Sequence, residues 1–276
     1  MENILMPEIR VALSQINPTV GNLKGNKDLI LSELKQAQEA GADIIAFPEL
    51  AITGYPPEDL LYNPDFIDAA KEVIEQIAKA SLGIVTIIGY PEKDSNEGEL
   101  YNSAAVISDG KIVDIYRKKL LPNYGVFDER RYFSTGSPAA TYTFGEIGIA
   151  VNICEDIWFD NGPTQMQSIN GADVIININA SPYHRGKRET RLAMLQQRAK
   201  ENDVVVCYVN LNGGQDELVF DGNSMVFDRE GNLTHEAQQF QDQLLFADIE
   251  VDHKELESKN IVSEGTHNDL QKIQIG

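Results

Sequence analysis

Three residues far apart in the chain each stand at the end of a stretch that reads as a strand. Glu49 follows Asp43-Ile44-Ile45-Ala46-Phe47-Pro48, Lys118 follows Lys111 to Arg117, and Cys154 follows Ile147 to Ile153. A thiol of ordinary pKa, about 8.5, is only a few per cent ionised at neutral pH, so a working cysteine needs a base or a positive charge beside it. Glu49 is a candidate for that base. Lys118 can hold the thiolate, and then the oxyanion that forms when a carbonyl carbon is attacked. The peptide N–H of Glu155, next after the cysteine, can donate a second bond to that oxyanion, and the loss of one such donor typically costs about 2.7–4 kcal/mol of barrier.

Each residue also has a plainer reading. Cys154 alone could be a core thiol, Glu49 a helix-start carboxylate after Pro48, and Arg117-Lys118-Lys119 a solvated strand end. Cys207, inside Val-Val-Val-Cys-Tyr-Val, reads as a small hydrophobe on a buried strand. His184 would serve a Cys–His hydrolase only with an orienting Asn or Asp pattern, which does not accompany it. The four histidines and two cysteines have no metal-ligand spacing, and no glycine-rich loop follows a strand as a nucleotide cradle requires.

The elements that must bring these residues together follow from periodicity. Arg10 to Gln15 alternates as a first strand; a helix runs from Asn26 to near Gly41 with Ile30, Leu34 and Ala37 on one face; Asp43 to Phe47 is a buried strand. A second helix over Asp68 to Ser81 and a strand over Ile84 to Gly89 complete a β-α-β-α-β series, which favours an α/β layer architecture. Asp109-Gly110 then turns a hairpin, and Leu121 to Pro138 is a long irregular loop of the kind that is usually functional. Beyond Cys154 come a strand over Asp173 to Asn179, a helix over Lys187 to Asn202 and a strand over Val204 to Leu211. A turn at Asn212-Gly213-Gly214, a hairpin about Arg229-Glu230-Gly231 and a last strand over Leu244 to Val251 follow. Residues 1–251 read as one mixed α/β domain, and 252–276 as a polar tail or the start of a linker.

With 276 residues, 42% of them hydrophobic, the chain can bury one large core. A formal net charge of -20 argues against nucleic acid and anionic membrane as partners. No apolar run of membrane-spanning length and no signal-peptide pattern is visible, and two cysteines build no disulfide framework. The expected location is the cytoplasm, which suits a working thiol.

Phe47-Pro48-Glu49-Leu50, Tyr116-Arg117-Lys118 with Leu121-Pro122, and Ile153-Cys154-Glu155-Asp156 resemble the three motif segments of the nitrilase superfamily in its Glu-Lys-Cys order. The resemblance covers about residues 8 to 250. It implies a four-layer αββα sandwich, paired into a homodimer or a larger homo-oligomer. Lys118, not Lys119, has the family's spacing to Leu121-Pro122. The loop Leu121 to Phe133, Ile153 to Trp158, and Asn179-Ala180-Ser181-Pro182-Tyr183 with Gly186-Lys187-Arg188 are similar to the glutamine amidase domains of glutamine-dependent NAD synthetases.

That resemblance implies Glu49 as base, Lys118 as oxyanion partner, Cys154 as nucleophile and Glu129 as an assisting glutamate. Tyr124, Phe127, Glu155 and Ser181 would line a glutamine site, with Lys187 where some members place arginine. It implies no cofactor and no metal for the amidase. ATP and deamido-NAD would enter only through an ammonia-using synthetase domain or subunit, whose Ser-Gly-Gly-x-Asp-Ser loop is absent from these residues. The chain is then either the amidase portion of a longer protein or a separate amidase. Two rivals remain: an amidase for another small amide or carbamoyl compound, and a non-catalytic scaffold subunit.

Overall fold

Strand alternation sorts the apolar side chains of the first strand into two cores. In β1 (Glu8–Gln15), Ile9, Val11 and Leu13 enter one apolar cluster while Ala12 enters another. A computed structural model describes residues 7–95, 98–137, 140–251 and 272–276. The chain continues through α1 (Leu23–Glu39), β2 (Ile44–Ala46), α2 (Pro64–Ala80), β3 (Val85–Lys93), β4 (Leu100–Ser108) and β5 (Lys111–Arg117). These strands and the late β14 (Gln243–Glu250) form a six-stranded sheet in the order β14-β1-β2-β3-β4-β5.

The second sheet is built from β6 (Thr141–Phe144), β7 (Ile147–Ile153), β8 (Val174–Asn179), β9 (Val205–Asn210), β12 (Met225–Phe227), β13 (Leu233–Glu236) and β15 (Lys272–Gln274). Its order is β13-β12-β9-β8-β7-β6-β15, and a small separate hairpin joins β10 (Asn212–Gln215) to β11 (Leu218–Asp221). Ile149, Val151 and Ile153 of β7 pack against Val11, Ile44 and Ile87 of the first sheet, so one core lies between the sheets. A second core seals α1 and α2 onto the first sheet. A third covers the second sheet with Met194, Leu195 and Ala199 of α4 (Lys187–Asn202), alongside the short α3 (Pro163–Ile169). Helix, sheet, sheet and helix are the four layers expected, and the central strands, such as β7, β8 and β9, are buried on both faces and read as nearly continuous apolar runs.

Caps explain where the helices start. Asn22 accepts the Gly25 N–H, so α1 begins before the expected Asn26, and Asn26 itself turns inward to donate to Thr19 O and Ile52 O. Asn63 caps α2 with Pro64 at its first position, ahead of the expected Asp68. Two expectations need correction. Asn212-Gly213-Gly214 is part of strand β10, because Asn212 to Gln215 pair with Leu218 to Asp221. The strand at Leu244 is not the last: β15 pairs in parallel with β6, and Ile275 is buried in the core between the sheets. The remainder of the expected tail, 252–271, lies outside the described residues. β6 and α3 carried no signal strong enough to be anticipated.

The topology brings the three chemical residues to one edge. β2 and β3 are parallel, and two antiparallel steps make β5 run in the same sense, so Glu49 and Lys118 emerge at the same end of the first sheet. Glycine lets the chain close over that end. A Cβ on Gly89 of β3 would lie 2.4 Å from Leu50 N and 2.6 Å from Pro48 O, and one on Gly136 would lie 2.1 Å from Arg117 O. Gly89→Ala therefore forces the Pro48–Leu50 segment off β3, with an expected loss of about 1–3 kcal/mol of stability, read from the urea midpoint. An unchanged midpoint would show that the segment has room to move.

Candidate active site

Lys118, fully buried, holds two carboxylates together: its Nζ donates to Glu49 Oε1 at 2.7 Å and to Glu129 Oε1 at 2.7 Å. Glu49 is also completely enclosed and accepts two further donors, Asn102 Nδ2 at 2.7 Å and the Ala180 N–H at 3.0 Å. Tyr55 OH and Asn102 Nδ2 reach Glu129 at 3.3 and 3.4 Å. Burial alone would lower the lysine pKa, but Glu129 and Glu49 outweigh it and hold Lys118 well above its ordinary value. Burial and the nearby Glu49 push Glu129 up to about 7, against the opposing pull of Lys118. Breaking an enclosed ion pair by removing one partner is far costlier than losing a surface one, since a charge is left without compensation.

Cys154 sits at the first position past β7, 4% exposed, with a left-handed φ of 45°. For a non-glycine residue that conformation carries roughly 1–2 kcal/mol of strain, and it turns the chain sharply from strand into the short 3₁₀ segment Cys154–Ile157. Burial and the charge of Glu49 raise the thiol well above its ordinary pKa, Lys118 pulls the other way, and Glu129 and Glu155 add to the rise. The four charged groups thus act on one sulfur, and the resting thiol keeps its proton. Asp156 accepts bonds from Tyr116 OH at 2.7 Å and from the Leu120 N–H at 2.8 Å.

On the open side, Tyr124 is 58% exposed and its hydroxyl donates to the Glu155 carboxylate at 2.8 Å. Phe127 meets Tyr124 edge-on at 5.7 Å and lines a cavity of about 210 Å³ with Tyr55, Leu50 and Glu129. Ser181 is buried; its N–H donates to Asn210 Oδ1 and its carbonyl accepts from Arg191. The Lys187 ammonium lies 4.4 Å from the centre of the Trp158 ring. Burial, then Arg191, lowers the Lys187 pKa, while Cys154 and Glu155 oppose the fall. The structure brings Glu49, Lys118, Glu129 and Cys154 into one electrostatic cluster, and Tyr124, Glu155 and Lys187 each interact electrostatically with the same thiol.

Several residues went unread in the sequence. Asn102 binds both carboxylates, and its carbonyl accepts the Lys118 N–H at 2.8 Å. Tyr55 touches Glu129 from the loop after Glu49. Arg191, wholly enclosed on α4, pairs with Asp221 at 2.7 Å while supporting Ser181. One signal was available: Asn102-Ser103 interrupts an otherwise apolar strand, and a polar residue on a strand buried on both faces demands a partner.

An enclosed Glu–Lys pair beside a buried cysteine, at strand ends of two sheets in a four-layer α/β sandwich, is the arrangement that the nitrilase resemblance implies. Residues 10–255 match the carbon-nitrogen hydrolase family, and the chain belongs to that family. Over 250 residues it is 41% identical to the glutamine-dependent NAD(+) synthetase of Thermotoga maritima, covering 90% of this chain and 43% of that one. To the enzyme of the same name in Xylella fastidiosa it is 44% identical, covering 87% of this chain and 44% of the relative. It therefore spans less than half the length of these relatives. The solved glutamine-dependent NAD+ synthetase of Acinetobacter baumannii, in complex with ADP, superposes with a TM-score of 0.85 at 37% identity, covering 88% of this chain and 46% of that one. An amidase from Nesterenkonia sp. superposes at 0.77 with 26% identity, covering 88% of this chain and 90% of the amidase.

The raised Glu129 fixes a sign. Its folded-state pKa of about 7 exceeds the ordinary 4.5, so folding takes up a proton between those values, and the stability this contributes is lost as pH rises through 7. Glu129→Gln, which does not titrate, should gain on the wild type in unfolding free energy between pH 4.5 and pH 8. Urea titrations at both pH values check this; a constant difference would show that Glu129 titrates normally.

Proposed function

We propose that this chain is a glutamine amidase that supplies ammonia to an NAD-forming synthetase. Glu49 takes the thiol proton as Cys154 Sγ bonds to the side-chain carboxamide carbon of glutamine. The oxyanion is met by Lys118 and the Glu155 N–H. Collapse returns the proton to the leaving nitrogen, frees ammonia and leaves a γ-glutamyl thioester on Cys154. Water, deprotonated by Glu49 with Glu129 assisting through their shared lysine, attacks the thioester and releases glutamate. Glu155 with Tyr124 and, opposite in charge, Lys187 suit the ammonium and carboxylate of an α-amino acid, while Phe127 and Ser181 complete the lining. The observation that carries this reading is the Glu49–Lys118–Glu129 cluster acting on Cys154, in a chain whose relatives at 41–44% identity are glutamine-dependent synthetases.

The same proposal places ATP and deamido-NAD on a synthetase domain or subunit, and has the amidase act in the cytoplasm as a homodimer or larger homo-oligomer. A second reading, an amidase for other small amides, draws on the Nesterenkonia enzyme, which matches over 90% of its own length. Among the described residues no helix is long and apolar enough to cross a membrane.

Ammonia release from glutamine by the purified chain is expected, and Cys154→Ala should abolish it. Turnover of butyramide but not of glutamine would favour the second reading. A diazoketone analogue of glutamine should label Cys154 and leave Cys207, whose thiol burial pushes up to about 12. An adduct placed on Cys207 by mass spectrometry would refute the assignment of the nucleophile.

A further inference from the structure

The carboxylate of Asp156 carries no step of the proposed chemistry, yet it is wholly enclosed and more fully bonded than its neighbours in the turn. Its Oδ2 accepts Tyr116 OH at 2.7 Å and the Ile153 N–H at 3.2 Å; its Oδ1 accepts the Leu120 N–H at 2.8 Å and the Lys119 N–H at 3.2 Å. Three of these donors belong to the segment that flanks Lys118 on both sides, and the fourth is the peptide N–H immediately before Cys154. The two segments come from different sheets, β5 from one and β7 from the other. Apolar packing between sheets fixes their spacing but is non-directional, so it does not set the two strand ends to a fraction of an ångström.

We propose that Asp156 is a positioning residue that ties the Lys118 segment to the Cys154 turn, and so sets the lysine against the sulfur. One carboxylate with four donors from both sides defines that relation in three dimensions. A charged acceptor suits the task because charge-assisted bonds to N–H groups are shorter and about twice as strong as neutral ones. Tyr116, held in the core between the sheets, reports the position of β5 to the same carboxylate. Glu49, Glu129 and Glu155 act on the sulfur against the thiolate, while Lys118 and Lys187 favour it. A displaced Lys118 would therefore leave the thiol harder to ionise.

The inference rests on the amidase reading for its kinetic arm, and on labelling for an arm independent of substrate. Asp156→Asn keeps the shape but replaces one acceptor oxygen with a donor, so the two groups that donate to that oxygen lose their acceptor. In the full chain, kcat for glutamine should fall about 100-fold with KM changed by no more than about threefold, as a misplacement of roughly 1 Å would produce. The pH profile of Cys154 labelling by iodoacetamide should move to higher pH. Tyr116→Phe, which removes one bond and leaves the carboxylate, should shift the profile in the same direction by less, and it decides alone if Asp156→Asn does not fold. A lowered melting temperature with unmoved kcat and unmoved labelling profile would overturn the proposal, leaving Asp156 a structural staple. Wild-type labelling at Cys154 without glutamine turnover would defeat the glutamine reading, and the labelling arm would still judge Asp156.

Discussion

A single ammonium group, sealed from water and bonded to two carboxylates, is the constraint on which the rest of this structure depends. Lys118 has no exposure, Glu49 none and Glu129 5%, so none of the three can recover its hydration if a partner leaves. Desolvating such ions costs several kcal/mol each, and attraction offsets that only when geometry is good and the remaining lone pairs are satisfied. The donors from Asn102, Tyr55 and the Ala180 N–H meet that condition. They come from three separate stretches of chain, and each must be closed before the ion cluster is stable.

The sandwich supplies what the cluster cannot: a rigid edge. Glu49 and Lys118 are delivered by strands of one sheet and Cys154 by the other, and the core between them is continuous, with Ile87, Val106 and Tyr116 facing Val151, Ile153 and Cys154 itself. Delivery at the edge requires unusual backbone. Leu50 and Cys154 both adopt left-handed φ, 49° and 45°, on either side of the site. Strain of this kind persists only where surrounding contacts over-determine it. Here the contacts are visible: Gly89 admits the Glu49 segment against β3, and Asp156 holds the turn behind Cys154.

How much of this could be read from the letters depended on the range of the forces involved. Apolar runs leading to Glu49 and Cys154 were legible because a strand buried on both faces writes itself as consecutive hydrophobic residues. The helix Lys187–Asn202 was legible through Leu192, Leu195 and Ala199. α3 was not: its seven residues, Pro-Thr-Gln-Met-Gln-Ser-Ile, have no apolar stripe, and two of the inward residues are Thr164 and Gln167, which answer Asn152. β10 was misread because Gly213-Gly214 looks like a turn, whereas its pairing with β11 is a tertiary fact. Asn102 showed only as a polar break in an apolar strand, and its partners could not be read because they lie 53 and 27 positions away. Family resemblance supplied Glu129, which no local pattern singles out.

The electrostatics also bear on how such a cysteine works without a histidine. With both carboxylates ionised, the Glu49–Lys118–Glu129 cluster carries one negative charge more than its lysine cancels. It is therefore short of one proton, and the position of Glu129 near 7 expresses that deficit. The thiol beside it is pushed up by burial and by Glu49, so a standing thiolate is not the ground state. In the proposed reaction, moving the proton from sulfur to carboxylate neutralises the cluster while creating the charge that Lys118 would meet. On that proposal, proton transfer and attack on the carbonyl belong to one event, in which negative charge passes from carboxylate to oxyanion without leaving the reach of the same ammonium. A preformed thiolate would gain nothing from that arrangement, because Lys118 would be committed to it before any substrate arrived.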